Sequence, residues 1–436
     1  MDLGIRLRAS VDVRGDKRTR KRVLFFAEAV TLAHVARPIV LARALDPSIY
    51  EVLLACDSRY ERFVADEPWR NLPLRSIGSA QFLEALSKGS PVYDVQTLRR
   101  YVSEDVALIE SVRPDLIVGD FRLSLSVSAR ISGIPYVGIT NAYWSPHCAA
   151  KAFPLPVLPM TRLLPLPVAG LLFRMAGPLA FRLHCAPLNQ VRKENGLPSL
   201  GNDLRRVYTD ADHTLYADMP ALFPTGPLPA GHHFIGPVLW SPPVHPPPWW
   251  EEPLPDQPVV YLTLGSSGTA HLLPVLLDAL AHQPLTIFAA SAGAPQPSPL
   301  PANVRIAEYL PGTEAAARAS LVVCNGGSPT SQQALAAGVP VLGIASNMDQ
   351  FLNMAGILRG GAGAVLRADR LSPAAVRAAV HALLAQREFA ARARELSAQA
   401  AAFDAPRRFA KVMGDIEGEA WSSARPVAAR PIEAGN

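Results

Sequence analysis

The chain of 436 residues, 49% of them hydrophobic, is long enough for two domains that each bury a core, which argues against a disordered protein. Its net charge of +5 comes from residues 1–22, where eight basic residues accompany three acidic ones. The nearly neutral remainder lacks the basic face of a nucleic-acid-binding protein. The four cysteines are widely spaced, without a C-x-x-C pair or a histidine at metal-ligand spacing, which argues against a zinc site and predicts reduced thiols in a cytoplasmic protein.

Residues 1–21 form a basic segment that we expect to be a disordered tail. No apolar core follows the basic run before the first strand-like segment, which argues against a cleavable signal peptide. A solvated leader and an arm that contacts a membrane surface are the two interpretations of this segment, and the pattern favours the solvated leader.

The N-terminal half alternates short apolar runs with helical patterns. We predict strands at residues 22–27 (RVLFFA), 50–55 and 114–119, and a helix at residues 33–45. This alternation predicts a parallel sheet that is covered by helices on both faces. We interpret residues 22–238 as one domain of this type.

Residues 154–181 form the most apolar stretch of the chain. Six prolines and two arginines, Arg162 and Arg174, interrupt it, and the uncharged stretch is shorter than the roughly 18–20 residues that a transmembrane helix needs. We therefore expect a hydrophobic loop and helix region that lines an apolar pocket or contacts a membrane surface. A plain pair of buried helices is the alternative.

Residues 239–258 are so rich in proline that neither a helix nor a central strand can continue through them, and we interpret them as a linker. Beyond it the strand pattern restarts, and no G-x-G-x-x-G that would indicate a dinucleotide-dependent oxidoreductase follows the first strand of either half. Two doubly wound domains in tandem would leave a cleft between the carboxyl ends of their sheets, where such folds bind ligands. The other predicted segments are strands at residues 259–264, 285–290, 304–307, 321–324 and 339–344, a second domain at 259–405, a helix at 406–420 that packs back on the first domain, and a flexible tail at 421–436.

The stretch NGGSPTSQQALAAG follows the strand predicted at residues 321–324 and has the layout of an anion-binding turn. Gly326 and Gly327 would let backbone N–H groups approach an anion, and the following helix would add the positive end of its dipole. Ser328 suits the N-cap of that helix and Pro329 its first helical position. Alone, this pattern is more typical of a structural turn than of a ligand site.

Two neighbouring features favour the ligand site. Gly265, Ser266 and Ser267 follow the first strand of this half, so two small-residue turns from neighbouring strands could face one diphosphate. Asp349 and Gln350 follow the strand predicted after the helix. A carboxylate beside an amide suits sugar hydroxyls, which need both acceptors and donors.

The run NGGSPTSQQALAAGVPVLGIASNMDQFLN resembles the donor-binding signature of family-1 inverting nucleotide-sugar glycosyltransferases, which have the two-domain GT-B fold and include plant and macrolide glycosyltransferases. Weaker similarity extends to residues 188–198, 234–238 and 259–267. The resemblance implies an α/β protein with two tandem Rossmann-like doubly wound domains and an interdomain cleft. It also implies which residues contact each part of the donor: the diphosphate at Gly326, Gly327, Ser328 and Thr330, the ribose at Gln333, the transferred sugar at Asp349 and Gln350, and the nucleobase at Tyr309.

Two positions depart from the family pattern, which has a histidine where this chain has Asn325 and a glutamate where it has Gln333. We expect the Asn325 amide to donate a hydrogen bond to a phosphate oxygen. Because it carries no charge, that bond would be weaker by about 1 kcal/mol. Gln333 can still bond a ribose hydroxyl, but it does not indicate whether the donor contains ribose or deoxyribose.

His34 and Asp120 are the candidate catalytic pair. His34 begins a helix after the first predicted strand and Asp120 ends another strand of the same sheet, so both belong to the cleft edge. A lone histidine is more often structural, but the resemblance places the family's catalytic histidine at His34 and its orienting aspartate at Asp120. His34 would take the proton from an acceptor hydroxyl, while Asp120 would fix its tautomer and stabilise the imidazolium.

This mechanism requires neither a metal nor another cofactor, because a helix end and backbone donors would stabilise the departing diphosphate. The sequence contains a D-x-D pair at Asp210 and Asp212 that imitates a metal-binding motif. We interpret these two aspartates as solvated residues that precede a strand.

The N-terminal domain must bind the acceptor, and Tyr143, Trp144 and His147 are the candidate residues for a lipophilic or aromatic molecule. We predict an inverting hexosyltransferase that uses a nucleotide sugar, a UDP-sugar in first place, as a monomer or homodimer in the cytoplasm with peripheral membrane contact as an option. The alternatives are a transferase that moves a deoxysugar such as rhamnose from dTDP to a lipid, a nucleotide-sugar epimerase, and a catalytically silent partner protein.

Overall fold

The computed structural model describes residues 20–265, 269–294, 296 and 298–422. Ser266, Ser267 and most of the two predicted tails lie outside the described residues. The strands are β1 (Lys21–Ala27), β2 (Tyr50–Cys56), β3 (Arg70–Pro73), β4 (Leu116–Asp120), β5 (Tyr136–Thr140), β6 (His213–Tyr216), β7 (His232–Phe234), β8 (Val259–Thr263), β9 (Thr286–Ala290), β10 (Val304–Ala307), β11 (Leu321–Cys324), β12 (Val341–Ala345) and β13 (Gly363–Arg367). The α-helices are α1 (Ala33–Ala42), α2 (Ser79–Lys88), α3 (Val95–Val112), α4 (Leu125–Ile131), α5 (Pro159–Leu163), α6 (Leu166–Glu194), α7 (Leu204–Tyr208), α8 (Leu273–Leu280), α9 (Gly312–Ala317), α10 (Ser328–Ala336), α11 (Met348–Arg359), α12 (Pro373–Ala385), α13 (Arg387–Ala400) and α14 (Ala405–Ser422).

The first sheet has seven parallel strands in the order β3-β2-β1-β4-β5-β6-β7. The last five residues of its inner strand β1 form a continuous apolar run and are buried, as expected for a strand that helices cover on both faces. The strand order reverses between β1 and β4, which pair with Ala27 opposite Asp120. In doubly wound sheets, ligands bind outside the carboxyl ends of the strands at this reversal.

The second sheet repeats the arrangement with six parallel strands in the order β10-β9-β8-β11-β12-β13. Its reversal lies between β8 and β11, where Thr263 pairs with Cys324. The predicted fold class, two tandem doubly wound α/β domains, is confirmed. At the carboxyl ends of the strands, His34 and Asp120 flank the reversal in the first sheet. Gly265 and the Asn325 turn flank the reversal in the second sheet.

The last helix, α14, packs on the first sheet although it follows the second one in the chain. Phe409, Val412, Met413 and Ile416 are buried in the same core cluster as Phe25. The ring centroids of Phe25 and Phe409 are 6.1 Å apart. The chain therefore crosses between the two domains twice, once at the proline-rich linker and once before α14.

The apolar region at residues 154–181 differs from the prediction of a loop and helix interrupted by prolines. Most of it lies in α6, one continuous helix of 29 residues that contains Pro178 and Pro187 in its interior. Its length and composition would suffice to cross a membrane, and only 11% of its most apolar window is buried. The alternative of a buried helix pair is thereby contradicted, because most of that window is exposed.

Candidate active site

A cavity of about 810 Å³ lies between the carboxyl edges of the two sheets. His34 and Asp120 line it from the first domain, and Asn325, Ser328 and Asp349 line it from the second. Among the other predicted site residues, Trp144, Gly265, Tyr309, Gly327, Thr330, Gln333 and Gln350 also line the cavity.

His34 and Asp120 are joined directly. His34 Nδ1 lies 2.8 Å from Asp120 Oδ1, and the Asp120 side chain is fully buried while that of His34 is 18% exposed. Arg37 Nη2 also lies 3.1 Å from His34 Nδ1. An ionised carboxylate can only accept hydrogen bonds, so the shorter contact with Asp120 favours the tautomer with the proton on Nδ1 and Nε2 as the basic nitrogen. The geometry is that of a general base held by a buried carboxylate.

Arg37 completes this arrangement, and the sequence analysis missed it. Its Nε donates to Asp120 Oδ2 at 2.7 Å and its Nη2 donates to Oδ1 at 2.7 Å, which is a bidentate ion pair. Burial opposes the charge of Arg37, but Asp120 beside it outweighs burial and the pKa of Arg37 is raised. Arg37 therefore places a positive charge against both carboxylate oxygens of Asp120, and its spacing of three residues from His34 on α1 was an available signal.

Phe121 fixes the other face of the His34 ring. The two rings stack with centroids 4.7 Å apart and planes 12° apart. Phe121 has a φ of 58°, in the left-handed region that a bulky residue seldom adopts. The turn after β4 thus places Asp120 at the edge of the imidazole and the next side chain against its face.

A chain of buried hydrogen bonds leads from this pair to the second domain. Arg37 Nη1 donates to Asn141 Oδ1 at 2.9 Å, and Asn141 Nδ2 donates to Asp218 Oδ2 at 3.1 Å. Gln332 on α10 then donates to Asp218 Oδ1 at 2.8 Å. Burial raises the pKa of Asp218 to about 7, against the opposing hydrogen bonds from Ala142 and Asn141. The sequence analysis missed these residues, because no motif connects them.

The Asn325 side chain lines the cavity and also joins the two loops at its edge. Its Nδ2 donates to the carbonyl oxygen of Leu264 at 2.9 Å, and its Oδ1 accepts from the Gly327 N–H at 2.9 Å. The side chain is therefore part of the loop structure, where it connects the end of β8 to the glycine turn after β11. The hydrogen bond expected from its amide to a phosphate oxygen stays a prediction.

The glycine turn and the start of α10 have the expected layout with one correction. Gly327, rather than Ser328, is the N-cap, and no side chain caps the helix. Gly326 has a φ of 81°, and a Cβ on it would lie 2.9 Å from Met354, so only glycine fits there. Ser328 and Thr330 line the cavity at this uncapped helix end, which is suited to an anion.

Asp349, which was predicted to bind the transferred sugar, contacts two residues that were predicted to bind the acceptor. Tyr143 donates its hydroxyl to Asp349 Oδ1 at 3.0 Å, and Trp144 donates Nε1 to the same oxygen at 2.8 Å. Tyr143 is buried behind the cavity wall. The predicted acceptor residues thus position the predicted sugar-binding carboxylate from the opposite domain.

Two other predicted site residues are engaged elsewhere. Gln350 Oε1 accepts from the N–H and hydroxyl of Ser346 at 2.8 and 3.0 Å, so it stabilises the start of α11. His147 does not line the cavity; its ring lies edge-on to that of His232, with centroids 5.4 Å apart.

Tyr309 and Gln333 lie on the donor side, in contact with other parts of the chain. Arg62 of the first domain donates to the Tyr309 hydroxyl at 2.7 Å, and its guanidinium carbon lies 4.9 Å from the centre of the tyrosine ring. Gln333 donates Nε2 to the carbonyl oxygen of Trp240, in the linker, at 2.6 Å. A base stacked on Tyr309 would therefore meet Arg62, which the sequence analysis did not identify.

The D-x-D pair is structural; Asp212 is exposed before β6, as predicted, but Asp210 is not. Asp210 is half-buried and pairs with Arg192 at 2.7 Å and with Arg130 at 3.0 Å. Asp212 accepts from the Tyr136 N–H at 2.9 Å. Within the described part of the chain, no group of three or more His, Cys, Asp or Glu side chains could hold a metal ion.

The acceptor side of the cavity is formed largely by α6. Phe173, Ala176 and Phe181 line it together with Phe121 and Trp144. This wall is apolar and aromatic, so it suits a lipophilic molecule better than a charged one.

Residues 275–416 match the family model described as "Erythromycin biosynthesis protein CIII-like, C-terminal domain". The whole chain is 52% identical over 378 residues to a PGL/p-HBAD biosynthesis glycosyltransferase of Mycobacterium tuberculosis (strain ATCC 25177 / H37Ra), with 87% of this chain and 88% of that protein covered. It is also 52% identical over 370 residues to a PGL/p-HBAD biosynthesis rhamnosyltransferase of Mycobacterium bovis (strain BCG / Pasteur 1173P2), with 85% of this chain and 82% of that protein covered.

A third relative, from the same Mycobacterium bovis strain, is named an inactive PGL/p-HBAD biosynthesis glycosyltransferase; it is 51% identical over 261 residues, which cover 60% of this chain and 71% of that protein. The fold is similar to that of spinosyn rhamnosyltransferase SpnG, with a TM-score of 0.65, 20% identity, and 90% of this chain and all of that one covered. The same enzyme complexed with thymidine diphosphate gives a TM-score of 0.62 at 18% identity, with 90% and 100% covered. The chain therefore belongs to the family-1-like GT-B glycosyltransferases, and it is a glycosyltransferase.

Proposed function

We propose that this glycosyltransferase moves a sugar from a nucleotide-sugar donor to a hydroxyl of a lipophilic or phenolic acceptor, with inversion at the anomeric carbon and His34 as general base. The observation that carries the proposal is the His34–Asp120 pair, which lines the same cavity as the glycine turn and the uncapped end of α10. A base from one domain and an anion site from the other are the two groups that an in-line displacement needs.

His34 takes the proton of the acceptor hydroxyl on Nε2, because Nδ1 is committed to Asp120. The resulting imidazolium lies beside the Asp120 carboxylate, both of whose oxygens accept hydrogen bonds from Arg37. The acceptor oxygen attacks the anomeric carbon while the bond to the diphosphate breaks on the opposite face. The negative charge that develops on the diphosphate is stabilised by the N–H groups at the start of α10, and this helix end makes a metal unnecessary.

The donor is a UDP-sugar or a dTDP-sugar. Relatives named as rhamnosyltransferases, at 52% identity, support a deoxysugar donor. The contacts of Asp349 fit this choice, because one of its carboxylate oxygens already accepts from Tyr143 and Trp144, which leaves fewer acceptor positions for sugar hydroxyls.

The names of the relatives place them in PGL/p-HBAD biosynthesis, and the apolar α6 wall supports a lipophilic acceptor here. The proposed location is the cytoplasm.

Mass spectrometry of reactions with UDP- and dTDP-sugars, each paired with a phenol and a lipid alcohol, tests the proposal. His34→Ala and Asp120→Asn should each lower kcat by about 100- to 10,000-fold, the usual contribution of general-base catalysis, with little change in donor affinity. Lys193→Ala, an exposed change on α6 away from the cavity, is the control. If His34→Ala retains turnover within tenfold of the unmodified enzyme, His34 is not the base.

Two further activities remain to be tested in the same assay. An epimerase would convert a labelled nucleotide sugar without any acceptor, so isomerised sugar in that reaction would contradict the transferase proposal. A catalytically silent partner would bind donor but show no turnover with any acceptor. One relative is named inactive, but the intact His34–Asp120–Arg37 arrangement supports activity in this chain.

A further inference from the structure

The outer side of α6 is a continuous exposed apolar surface. Val168, Leu171, Leu172, Met175, Leu179 and Leu183 are between 43% and 72% exposed, at a spacing of three to four residues that places them on one side of the helix. Leu163 at the end of α5 continues it and is 83% exposed. We call these seven residues the α6 face. Contiguous apolar surfaces of this kind mark sites of interaction with a protein or a membrane.

The charged side chains that α5 and α6 carry between residues 159 and 193 are all positive. Arg162, Arg174 and Arg182 are exposed and make no hydrogen bond or ion pair within the described part of the chain. No aspartate or glutamate occurs from residue 121 to residue 193. An apolar helix side bordered by arginine alone matches a surface that offers acyl chains and anionic headgroups together.

This charge pattern also bears on the other partners that the α6 face could have. A second copy of the chain would bring arginines against arginines, and the segment before residue 20, with its net positive charge, would be repelled as well. An anionic lipid surface satisfies both the apolar residues and the arginines.

The α6 face is continuous with the candidate active site. Leu172 and Met175 belong to the exposed face and also line the cavity, while Phe173, Ala176 and Phe181 line its wall farther along the same helix. A lipophilic molecule in the membrane leaflet that the α6 face contacts would reach the cavity opening without first entering water.

We propose that the α6 face docks on the surface of an anionic lipid bilayer, with α6 lying in the interface rather than crossing it. The opposite side of the helix is packed against the protein: Cys185, Leu188 and Val191 are buried in a core cluster with Leu98 and Tyr101 of α3. Arg174 and Arg182 lie within the helix, where a membrane-spanning segment would have to bury them at a cost of several kcal/mol. That the docked enzyme takes its acceptor sideways from the bilayer rests, in addition, on the proposed function.

Vesicle flotation with the purified full-length enzyme tests the docking without any substrate. Vesicles of phosphatidylcholine with phosphatidylglycerol should bind the enzyme, and vesicles of phosphatidylcholine alone should bind it much less. The triple variant Leu171→Gln, Leu179→Gln, Leu183→Gln should lose at least tenfold in partition coefficient. In the double variant Arg174→Glu, Arg182→Glu, the partition coefficient should fall at least fivefold per arginine, which corresponds to about 1 kcal/mol for each. This variant should also lose the preference for phosphatidylglycerol.

The matched control is Ile131→Gln, Val275→Gln, Leu358→Gln, which removes three apolar side chains of similar exposure from other helices. It should bind like the unmodified enzyme, and unchanged melting temperatures should show that all variants fold. Failure of the unmodified enzyme to bind phosphatidylglycerol vesicles, or unchanged binding by the leucine variant, would overturn the proposal. So would a dimer in sedimentation that only the leucine variant abolishes, because a second copy would then cover the face.

Activity separates docking from the proposed function. With a vesicle-borne lipid alcohol, the leucine variant should turn over at least tenfold more slowly than the unmodified enzyme, while both act equally on a water-soluble phenol. If neither acceptor is glycosylated by any form, the proposed function fails and the flotation result still decides the docking. Equal loss on both acceptors would contradict delivery from the bilayer.

Discussion

Asn325 illustrates how a residue in a ligand-binding motif can also hold neighbouring loops together. Its two side-chain atoms connect the Leu264 carbonyl group to the Gly327 N–H group, so the two turns that face the cavity hold each other in place. A histidine ring can reproduce one of these bonds but not both, because one nitrogen of the neutral ring donates and the other, on the far side, accepts. The site is therefore organised around an amide.

We accordingly expect Asn325→His to weaken donor binding, contrary to the simple expectation that the family's histidine would maintain or improve it. Loss of one buried hydrogen bond costs about 1 kcal/mol, which corresponds to a decrease in affinity of about fivefold. Calorimetric titration with the active nucleotide sugar measures this, and an unchanged melting temperature shows that the fold survives. Donor affinity equal to or better than that of the unmodified enzyme would mean that the two loops do not need the amide.

At the residue scale, the contact between His34 and Asp120 could be predicted, but the side chains that support it could not. His34 and Asp120 follow strands that are neighbours at the sheet reversal, so elementary topology brings them together. The role of Arg37 was within reach, because it lies one helical turn after His34. The contact of Asn325 with Leu264 spans 61 positions and depends on the packing of two loops, which no local pattern contains.

Among the secondary-structure elements, continuous apolar strands were the most predictable. The predicted strands at residues 304–307 and 321–324 have the bounds of β10 and β11, and the others differ from the structure by one or two residues at an end. The α6 helix was the failure, because prolines within it were interpreted as breaks. Pro178 and Pro187 are accommodated in a helix whose other side packs on α3, so tertiary contacts outweighed the local preference.

The α14 helix gives the prediction at this scale. Phe409 is fully buried against Phe25, so Phe409→Ala should lower the free energy of unfolding by about 3–5 kcal/mol. Lys411→Ala, an exposed change on the same helix, should alter it by less than about 0.5 kcal/mol. Urea denaturation followed by circular dichroism measures both changes. A loss below about 1 kcal/mol for Phe409→Ala would show that α14 does not contribute to the first domain.

For the whole molecule, the notable feature is the number of bonds that cross between the domains at the cavity. Asp349 accepts from two residues of the first domain, and Arg62 donates to Tyr309. A further link runs from Gln332 through Asp218 and Asn141 to the guanidinium beside Asp120. The sequence could predict the cleft but not these pairs, since each depends on how two separately folded sheets meet.

Asp218 makes the stability that this interdomain network contributes depend on pH. Burial raises its pKa to about 7 from an ordinary value of 3.8, so the folded protein holds the proton more tightly than the unfolded chain does. The contribution of this group to stability is complete below about pH 4 and decreases as the pH rises to about 7. The slope is up to about 1.4 kcal/mol per pH unit, and above about pH 8 the group adds no further dependence.

Asp218→Asn removes this titration. We expect the free energy of unfolding of the unmodified enzyme, minus that of the variant, to decrease between pH 5 and pH 7 and to level off above pH 8. The variant will be less stable at every pH, because its amide N–H₂ faces hydrogen-bond donors from Asn141, Ala142 or Gln332. The titration of Asp218 is therefore measured by how the difference in the free energy of unfolding changes with pH. Urea denaturation at four pH values provides it, with the exposed Asp415→Asn as control. A difference that stays constant from pH 5 to pH 8 would show that Asp218 is ionised throughout, held so by the three hydrogen bonds that it accepts.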